Sequence, residues 1–319
     1  MKVVYMGTPE FARRPLIHLA ESRHDLLAVV TGRDKPAGRG HRLLSTPVKT
    51  EAEKRGIPVF TPKTLKSKKL HASLAELQPD LFVVVAFRIL PESLFSLPKL
   101  GSVNIHGSLL PKYRGAAPIN WALINGERET GLSSFFLKRS VDTGDVIATE
   151  RIAIRDEDTC DTLAERMSEI AGPFLLRTLD LIESGRAEAT PQDDSEASGA
   201  PKLTPQDALI DFGFPAENVR NFVRGLSSKP GAYTFFRGKK IKILNCEIAP
   251  DEVAPGTRPG TVLPAKGRLV VACAHSAIEI TRIVPEGKKP MDGPSFVNGF
   301  RPEPGELFGE PVKKDSLNL

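Results

Sequence analysis

The first half of the chain alternates short apolar runs with amphipathic stretches. Continuous apolar runs predict buried strands at residues 3–6, 26–30, 81–86 and 102–105. Stretches with helical periodicity lie between them, at residues 9–21, 47–55 and 70–77. Thr46 followed by Pro47 is typical of a helix N-terminus. This alternation predicts an α/β fold with a Rossmann-like, doubly wound and mostly parallel sheet.

The second half of the chain has a different pattern. Residues 162–182 predict a long amphipathic helix, which Gly172 and Pro173 should kink or break. Residues 189–205 are polar and rich in Pro and Ser, which is linker composition. Beyond them we predict a helix at 216–226 and short strands at 232–236, 239–244, 261–263, 269–273 and 277–283. The expected domains are therefore residues 1–188 and 206–319, joined by a linker at 189–205, with a small barrel or sandwich in the second.

Composition narrows the class of protein. The chain has 319 residues, 40% of them hydrophobic, and a net charge of +5, which permits a polyanionic partner without requiring one. Its three cysteines are widely spaced and fit neither a disulfide framework nor a zinc site, so a reducing compartment is expected. No apolar run approaches the roughly 18 residues of a membrane span, and the N-terminus does not read as a signal peptide. We expect a cytoplasmic protein without a membrane partner.

The segment with the most chemistry is residues 100–118, LGSVNIHGSLLPKYRGAAP. Side chains alternate along a strand, so Asn104 and His106 should point the same way. Ligands of open α/β sheets gather at the carboxyl ends of the strands. The pattern thus indicates an amide donor and a titratable imidazole side by side at a possible site. Two alternatives remain open at this point: Asn104 closes a turn, and His106 is a half-buried histidine with its own partner.

Asp142 lies in the segment VDTGDV, between strand-like residues 130–136 and 146–154. By composition alone, Asp-Thr-Gly is more often an ordinary turn, since Asp and Gly are favoured there. Its meaning changes only if Asp142 approaches His106. A carboxylate in that position would orient the imidazole and favour its charged form.

Taken together, several segments resemble the methionyl-tRNA formyltransferases. In chain order they are residues 7–11 (GTPEF), 35–40 (KPAGRG), 104–111 (NIHGSLLP), 114–118 (RGAAP) and 142–145 (DTGD). The pair NIHGSLLP and DTGD is specific for the wider group of 10-formyltetrahydrofolate-dependent transferases. The PAGRG loop is similar to that of the tRNA-directed members. The resemblance covers nearly the whole chain, including the linker and the C-terminal domain.

The resemblance implies an activity and a set of site residues. It implies that 10-formyltetrahydrofolate donates a formyl group to the methionine amine of initiator methionyl-tRNA, that tetrahydrofolate is released, and that no metal takes part. The catalytic set would be Asn104, His106 and Asp142. The folate would lie against the segment Ser108, Leu109, Leu110 and Pro111, and the segment with Phe87 and Ile89 would border the pterin pocket. The sequence Gly7-Thr8-Pro9 after the first strand is not the Gly-x-Gly-x-x-Gly fingerprint of a dinucleotide site, so we expect no NAD site.

The tRNA contacts implied by the resemblance are basic. The loop at residues 32–49 would contact the acceptor arm through Arg39 and Arg42, and an OB-like C-terminal barrel would contact tRNA through Lys240 and Lys242. From the residues alone, a solvated charged surface is the better interpretation of both sets. We expect a monomer.

The chain departs from the family's pattern at residues 86–90 (AFRIL), which are one residue shorter than usual. This change bears on the shape of the pterin pocket. The competing functions are formyl transfer to an amino-sugar nucleotide or to glycinamide ribonucleotide, hydrolysis of the formyl donor, and a non-catalytic tRNA- or folate-binding role.

Overall fold

A seven-stranded sheet forms the centre of the N-terminal part. The computed structural model describes residues 1–37 and 42–309. In this part the strands are β1 (Lys2–Gly7), β2 (Asp25–Val30), β3 (Lys35–Ala37), β4 (Arg42–Leu44), β5 (Val59–Phe60), β6 (Leu81–Val85), β7 (Ser102–His106), β8 (Arg114–Gly115), β9 (Glu129–Phe136), β10 (Val146–Ala153) and β11 (Gly199–Ala200). The sheet order is β10-β9-β7-β6-β1-β2-β5. The five strands from β7 to β5 in this order are parallel to one another. β9 pairs antiparallel with β7, and β10 pairs antiparallel with β9.

Helices cover this sheet as the sequence predicts. The helices of the whole described chain are α1 (Arg13–Ala20), α2 (Pro47–Lys54), α3 (Lys68–Glu76), α4 (Glu92–Phe95), α5 (Pro118–Ile124), α6 (Cys160–Glu183), α7 (Ala216–Gly225) and α8 (Gly293–Phe300). The predicted start of α2 is confirmed, because the Thr46 hydroxyl accepts a hydrogen bond from the Lys49 amide at 3.1 Å and Pro47 opens the helix. None of the described helices is both long and apolar enough to cross a membrane.

Of the two outcomes predicted for the long helix, a kink or a break, the break is wrong. α6 runs for 24 residues through Pro173. Its buried face, which includes Leu163, Met167 and Phe174, packs into the core, and this burial outweighs the hydrogen bond that proline removes. Gly172 has a packing role instead, since a Cβ there would lie 2.3 Å from Nδ1 of His18 on α1.

The C-terminal part is built on an antiparallel sheet. Its strands are β12 (Tyr233–Phe236), β13 (Lys239–Ala249), β14 (Val270–Ala272), β15 (Ala277–Pro285) and β16 (Met291–Asp292), in the order β12-β13-β15-β14 with β16 paired to β15. The strand predicted at 261–263 forms only single bridges. Phe236 stacks on Phe308 at 4.6 Å between ring centroids, and Phe296 packs beside them in the core. A mostly parallel α/β sheet followed by an antiparallel sheet confirms the predicted fold class.

The chain divides into two compact units that are not continuous in sequence. One contains residues 1–118, 129–153 and 162–201, and the other contains residues 119–128, 154–161 and 202–319. The sequence analysis assigned residues 119–128 and 154–161 to the first domain. Most of the segment predicted as a linker, up to residue 201, groups with the α/β unit, where β11 pairs with β8.

Candidate active site

The end of β7 positions the two polar residues identified in the sequence. Val103 and Ile105 are buried, and Asn104 and His106 alternate with them on the opposite face of the strand. Asn104 lies between Val84 of β6 and Phe135 of β9. Its half-buried side chain makes no hydrogen bond with any described residue. The amide is therefore available to a ligand at this end of the sheet.

His106 is fixed by a backbone carbonyl that the sequence analysis did not identify. The residue is 5% exposed, and its Nε2 lies 2.8 Å from the carbonyl oxygen of Tyr113. A carbonyl only accepts, so Nε2 carries the proton in the neutral ring and Nδ1 keeps its lone pair. The edge of the ring also packs against Phe135, with 6.5 Å between centroids. The imidazole thus presents Nδ1 to the site.

Asp142 approaches that same nitrogen. Its Oδ2 lies 3.8 Å from Nδ1 of His106, and its side chain is 11% exposed. The carboxylate also accepts a hydrogen bond from the Gly115 amide at 2.8 Å. The distance to His106 suits an ion pair with the charged ring but is too long for a direct hydrogen bond. The structure therefore brings together the residues predicted at 104, 106 and 142, which we call the strand-end site.

The turn that carries Asp142 has an unusual backbone. Asp142 adopts a left-handed conformation with φ of 55°, which Asp tolerates better than most residues. Two residues later, a Cβ on Gly144 would lie 1.7 Å from the Phe136 carbonyl oxygen, so only glycine fits there. The DTGD motif is thus a tightly constrained turn as well as the source of a carboxylate.

The segment after His106 is fixed by a serine that the sequence analysis missed. The Ser133 hydroxyl donates to the Ser108 carbonyl at 2.7 Å and accepts from the Leu110 amide at 3.0 Å. The Ser108 hydroxyl donates to the Lys112 carbonyl at 2.7 Å, and the Leu110–Pro111 peptide is cis. Two adjacent serines within the predicted strand at 130–136 were the available signal, since buried hydroxyls need partners.

The segment with Phe87 and Ile89 leaves β6 beside the strand-end site. The register pairs Val85 with Ile105, so the chain after β6 emerges next to His106. Phe87 is partly buried and has Arg88 over its ring at 5.1 Å. Ile89 is 75% exposed, so its side chain is accessible at this end of the sheet.

Two short strands lie in the basic loop of the α/β unit. β3 and β4 pair antiparallel, with Lys35 opposite Leu44. Arg39 lies outside the described residues, and only the backbone of Arg42 is described. The positive charge of Lys49 is neutralised by Asp34, to which its Nζ donates a hydrogen bond at 2.7 Å. This contact lowers the pKa of Asp34 and raises the pKa of Lys49.

The two predicted lysines of the C-terminal unit lie on β13. The Nζ of Lys240 lies 3.4 Å from the Tyr233 ring centroid, and the Nζ of Lys242 donates to the Pro230 carbonyl at 3.4 Å. Within the described part of the chain neither lysine forms an ion pair. We call strands β12 and β13 with these lysines the basic hairpin.

A separate cluster in the α/β unit has metal-ligating residue types. It contains His24, Asp180 and Glu183. The Arg23 guanidinium already pairs with both carboxylates, at 2.7 Å to Asp180 and 2.6 Å to Glu183. The negative charges of the two carboxylates are thus paired with the positive charge of Arg23.

Known proteins resemble this chain along nearly its whole length. Residues 1–179 match the family described as "Formyl transferase", and residues 202–301 match "Formyl transferase, C-terminal domain". The chain is 40% identical to the methionyl-tRNA formyltransferase of Geotalea uraniireducens over 316 residues, 99% of each chain. It is 43% identical to that of Chlorobium luteolum over 95% of this chain and 98% of the relative.

Solved structures share the fold. The methionyl-tRNA formyltransferase of Clostridium thermocellum aligns with a TM-score of 0.54 at 16% identity, over 92% of this chain and 100% of that one. WlaRD, a sugar 3N-formyl transferase solved in the presence of dTDP and 5-N-formyl-THF, aligns with a TM-score of 0.67 at 17% identity over 91% and 99%. The fold and the matched models define a member of the formyl transferase class. Within it, the chain belongs to the methionyl-tRNA formyltransferase family.

Proposed function

We propose that this chain transfers the formyl group of 10-formyltetrahydrofolate to the α-amine of methionine on initiator methionyl-tRNA. Membership of the family supports the reaction, because relatives with this name match along almost the whole chain. The observation that carries the proposal is the geometry of the strand-end site. Asn104 offers an amide that makes no hydrogen bond with any described residue, and His106 presents Nδ1 to Asp142 at 3.8 Å.

In the proposed reaction the neutral amine attacks the formyl carbon and a new C–N bond forms. Negative charge develops on the formyl oxygen. The Asn104 amide and a protonated His106 stabilise this oxygen, an interaction of roughly a few kcal/mol per donor in comparable sites. Because Nε2 of His106 donates a hydrogen bond to the Tyr113 carbonyl oxygen, the proton available to the substrate is the one on Nδ1.

Proton transfer completes the reaction. The attacking amine loses one proton and the departing N10 gains one as the bond between N10 and the formyl carbon breaks. Asp142 accepts the proton of the amine, directly or through water. The Gly115 amide, which donates to Oδ2 at 2.8 Å, keeps the carboxylate facing the site.

The residues at this end of the sheet fit a folate. A pterin ring has two apolar faces and a polar edge. Exposed Ile89 and partly buried Phe87 offer apolar contacts, and the free amide of Asn104 offers a polar one. The segment Ser108, Leu109, Leu110 and Pro111 would line the same pocket, although the Ser108 hydroxyl is engaged with the Lys112 carbonyl.

The tRNA would contact both units. We assign this role to Arg39 and Arg42 in the basic loop at residues 32–49 and to Lys240 and Lys242 of the basic hairpin, since arginine and lysine side chains suit phosphates. On this proposal, residues 1–188 form the catalytic domain, 189–205 the connection and 206–319 the tRNA-binding domain. The protein would act as a monomer in the cytoplasm.

One assay separates the proposed function from its competitors. The protein is incubated with 10-formyltetrahydrofolate and, in parallel, with methionyl-tRNA, an amino-sugar nucleotide, glycinamide ribonucleotide or buffer alone. Formyl-methionyl-tRNA is the expected product. A formylated sugar or ribonucleotide would reassign the acceptor, formate in buffer alone would indicate a hydrolase, and no product would indicate a binding protein.

A further inference from the structure

The polar segment after α6 returns across the α/β unit. Thr190 forms a bridge with Val146 at the start of β10, and β11 pairs in parallel with β8, Gly199 opposite Arg114. Gly115 fits this pairing because a Cβ there would lie 2.6 Å from the Ala200 carbonyl oxygen. The segment therefore contacts both loops that supply the surroundings of His106 and Asp142.

Gln192 lies in the middle of this segment and bonds to both loops. Its Nε2 donates to the carbonyl oxygens of Asp142 at 2.9 Å and Gly144 at 2.8 Å. Its Oε1 accepts from Arg114, at 3.0 Å from Nε and 2.8 Å from Nη2. One half-buried amide thus uses both of its N–H bonds and its carbonyl to connect the two loops.

The Asp142 turn requires external support of this kind. Its left-handed backbone at φ of 55° is less favourable than an ordinary turn for a residue with a side chain. Two carbonyls of the turn point at Gln192, and the carboxylate points at the Gly115 amide next to Arg114. The same neighbouring loop also contains Tyr113, whose carbonyl fixes His106. The positions of His106 and Asp142 relative to each other therefore depend on how these loops are joined.

We propose that Gln192 is a positioning residue of the reaction, which fixes the Asp142 carboxylate relative to His106 by joining the two loops. This inference rests on the proposed function. It assigns a role in formyl transfer to a segment whose composition indicates only a linker. Gln192 does not touch the reacting atoms; it acts through Asp142.

The first test compares Gln192→Ala and Gln192→Glu with wild type. Gln192→Glu keeps the size of the side chain and its contact with Arg114 but directs a carboxylate at two carbonyl oxygens. We expect both variants to lower the single-turnover rate of formyl transfer about tenfold or more, since small displacements of catalytic groups have effects of this size. KM values for both substrates should change little. Glu196→Gln is the matched control, because Glu196 is an exposed side chain of the same segment and its substitution should leave the rate unchanged.

The second test distinguishes positioning from general destabilisation. Asp142→Asn is combined with Gln192→Glu. If Gln192 acts through Asp142, the second substitution should produce no further loss of rate in the Asp142→Asn background, because the two effects are not additive. If the rate loss of the double variant equals the product of the losses of the two single variants, the inference is overturned. A wild-type rate in Gln192→Glu would overturn it as well. Wild-type protein inactive in the same assay would refute the proposed function instead.

Discussion

The strand-end site and the basic hairpin differ in how their polar side chains are fixed. His106 is almost fully buried and bonded to a backbone carbonyl, and the Asp142 carboxylate accepts from a backbone amide. By contrast, the lysines of the basic hairpin contact an aromatic ring and one carbonyl at 3.4 Å. Chemistry depends on distances within a fraction of an ångström, whereas attraction to phosphates depends mainly on charge. The two regions should therefore respond differently to substitution.

Substitutions in the strand-end site should have the largest effect. Asn104→Ala, His106→Ala and Asp142→Ala should each lower kcat by roughly 10² or more, because each removes a donor or carboxylate to which the proposed mechanism assigns a role in the transition state. Steady-state kinetics with methionyl-tRNA measure this effect, and circular dichroism checks that each variant is folded. A folded variant that retains wild-type kcat would remove its residue from the mechanism.

A second substitution tests whether the site depends on its buried supports. Ser133→Ala leaves the Leu110 amide without its partner and removes the donor to Ser108. The free energy of unfolding should fall by about 1–3 kcal/mol, the usual range for an unsatisfied buried group. Urea unfolding measures it, with Ser184→Ala at an exposed helix end as the control. Equal stability of both variants would show that the loop does not need Ser133.

The basic hairpin should affect affinity rather than rate. Lys240→Ala and Lys242→Ala should each raise KM for tRNA severalfold and reduce its dependence on salt by about one phosphate contact, with kcat unchanged. Lys266→Ala, an exposed lysine of the same unit, is the control. A salt dependence identical to wild type in both hairpin variants would separate this surface from tRNA binding.

The smallest effect concerns an arginine of the same hairpin that already has a structural partner. Arg237 donates to Glu306 at 2.7 Å, and this contact lowers the pKa of Glu306. A carboxyl group whose pKa is lower in the folded protein than in the unfolded chain stabilises the fold at pH values above its unfolded-state pKa. This stabilisation is lost as the pH falls through the folded-state pKa. Glu306→Gln should therefore cost about 1 kcal/mol or less at pH 7 and progressively less below pH ~4. Unfolding by urea across this pH range measures the difference.

The sequence predicted those features that depend on local periodicity. The apolar runs identified the parallel strands, and strict alternation placed Asn104 and His106 on one face of β7. Tyr113 and Gln192 were not predictable, because their roles depend on loops that meet only after folding. Gln192 lies 50 residues from Asp142 in a segment whose composition indicates flexibility. The helix does not break at Pro173, because burial of one face of α6 outweighs the local preference of proline against a helix interior.

The bridge between Thr190 and Val146 also bears on how the sheet ends. Edge strands expose unpaired backbone groups that can recruit strands of other molecules. At one edge, the returning chain covers the beginning of β10, and the exposed positions of that strand include Thr149 and Arg151. At the other edge, β5 is only two residues long. Both features shorten the backbone edge that is open to a strand of another molecule, and this disfavours edge-to-edge pairing.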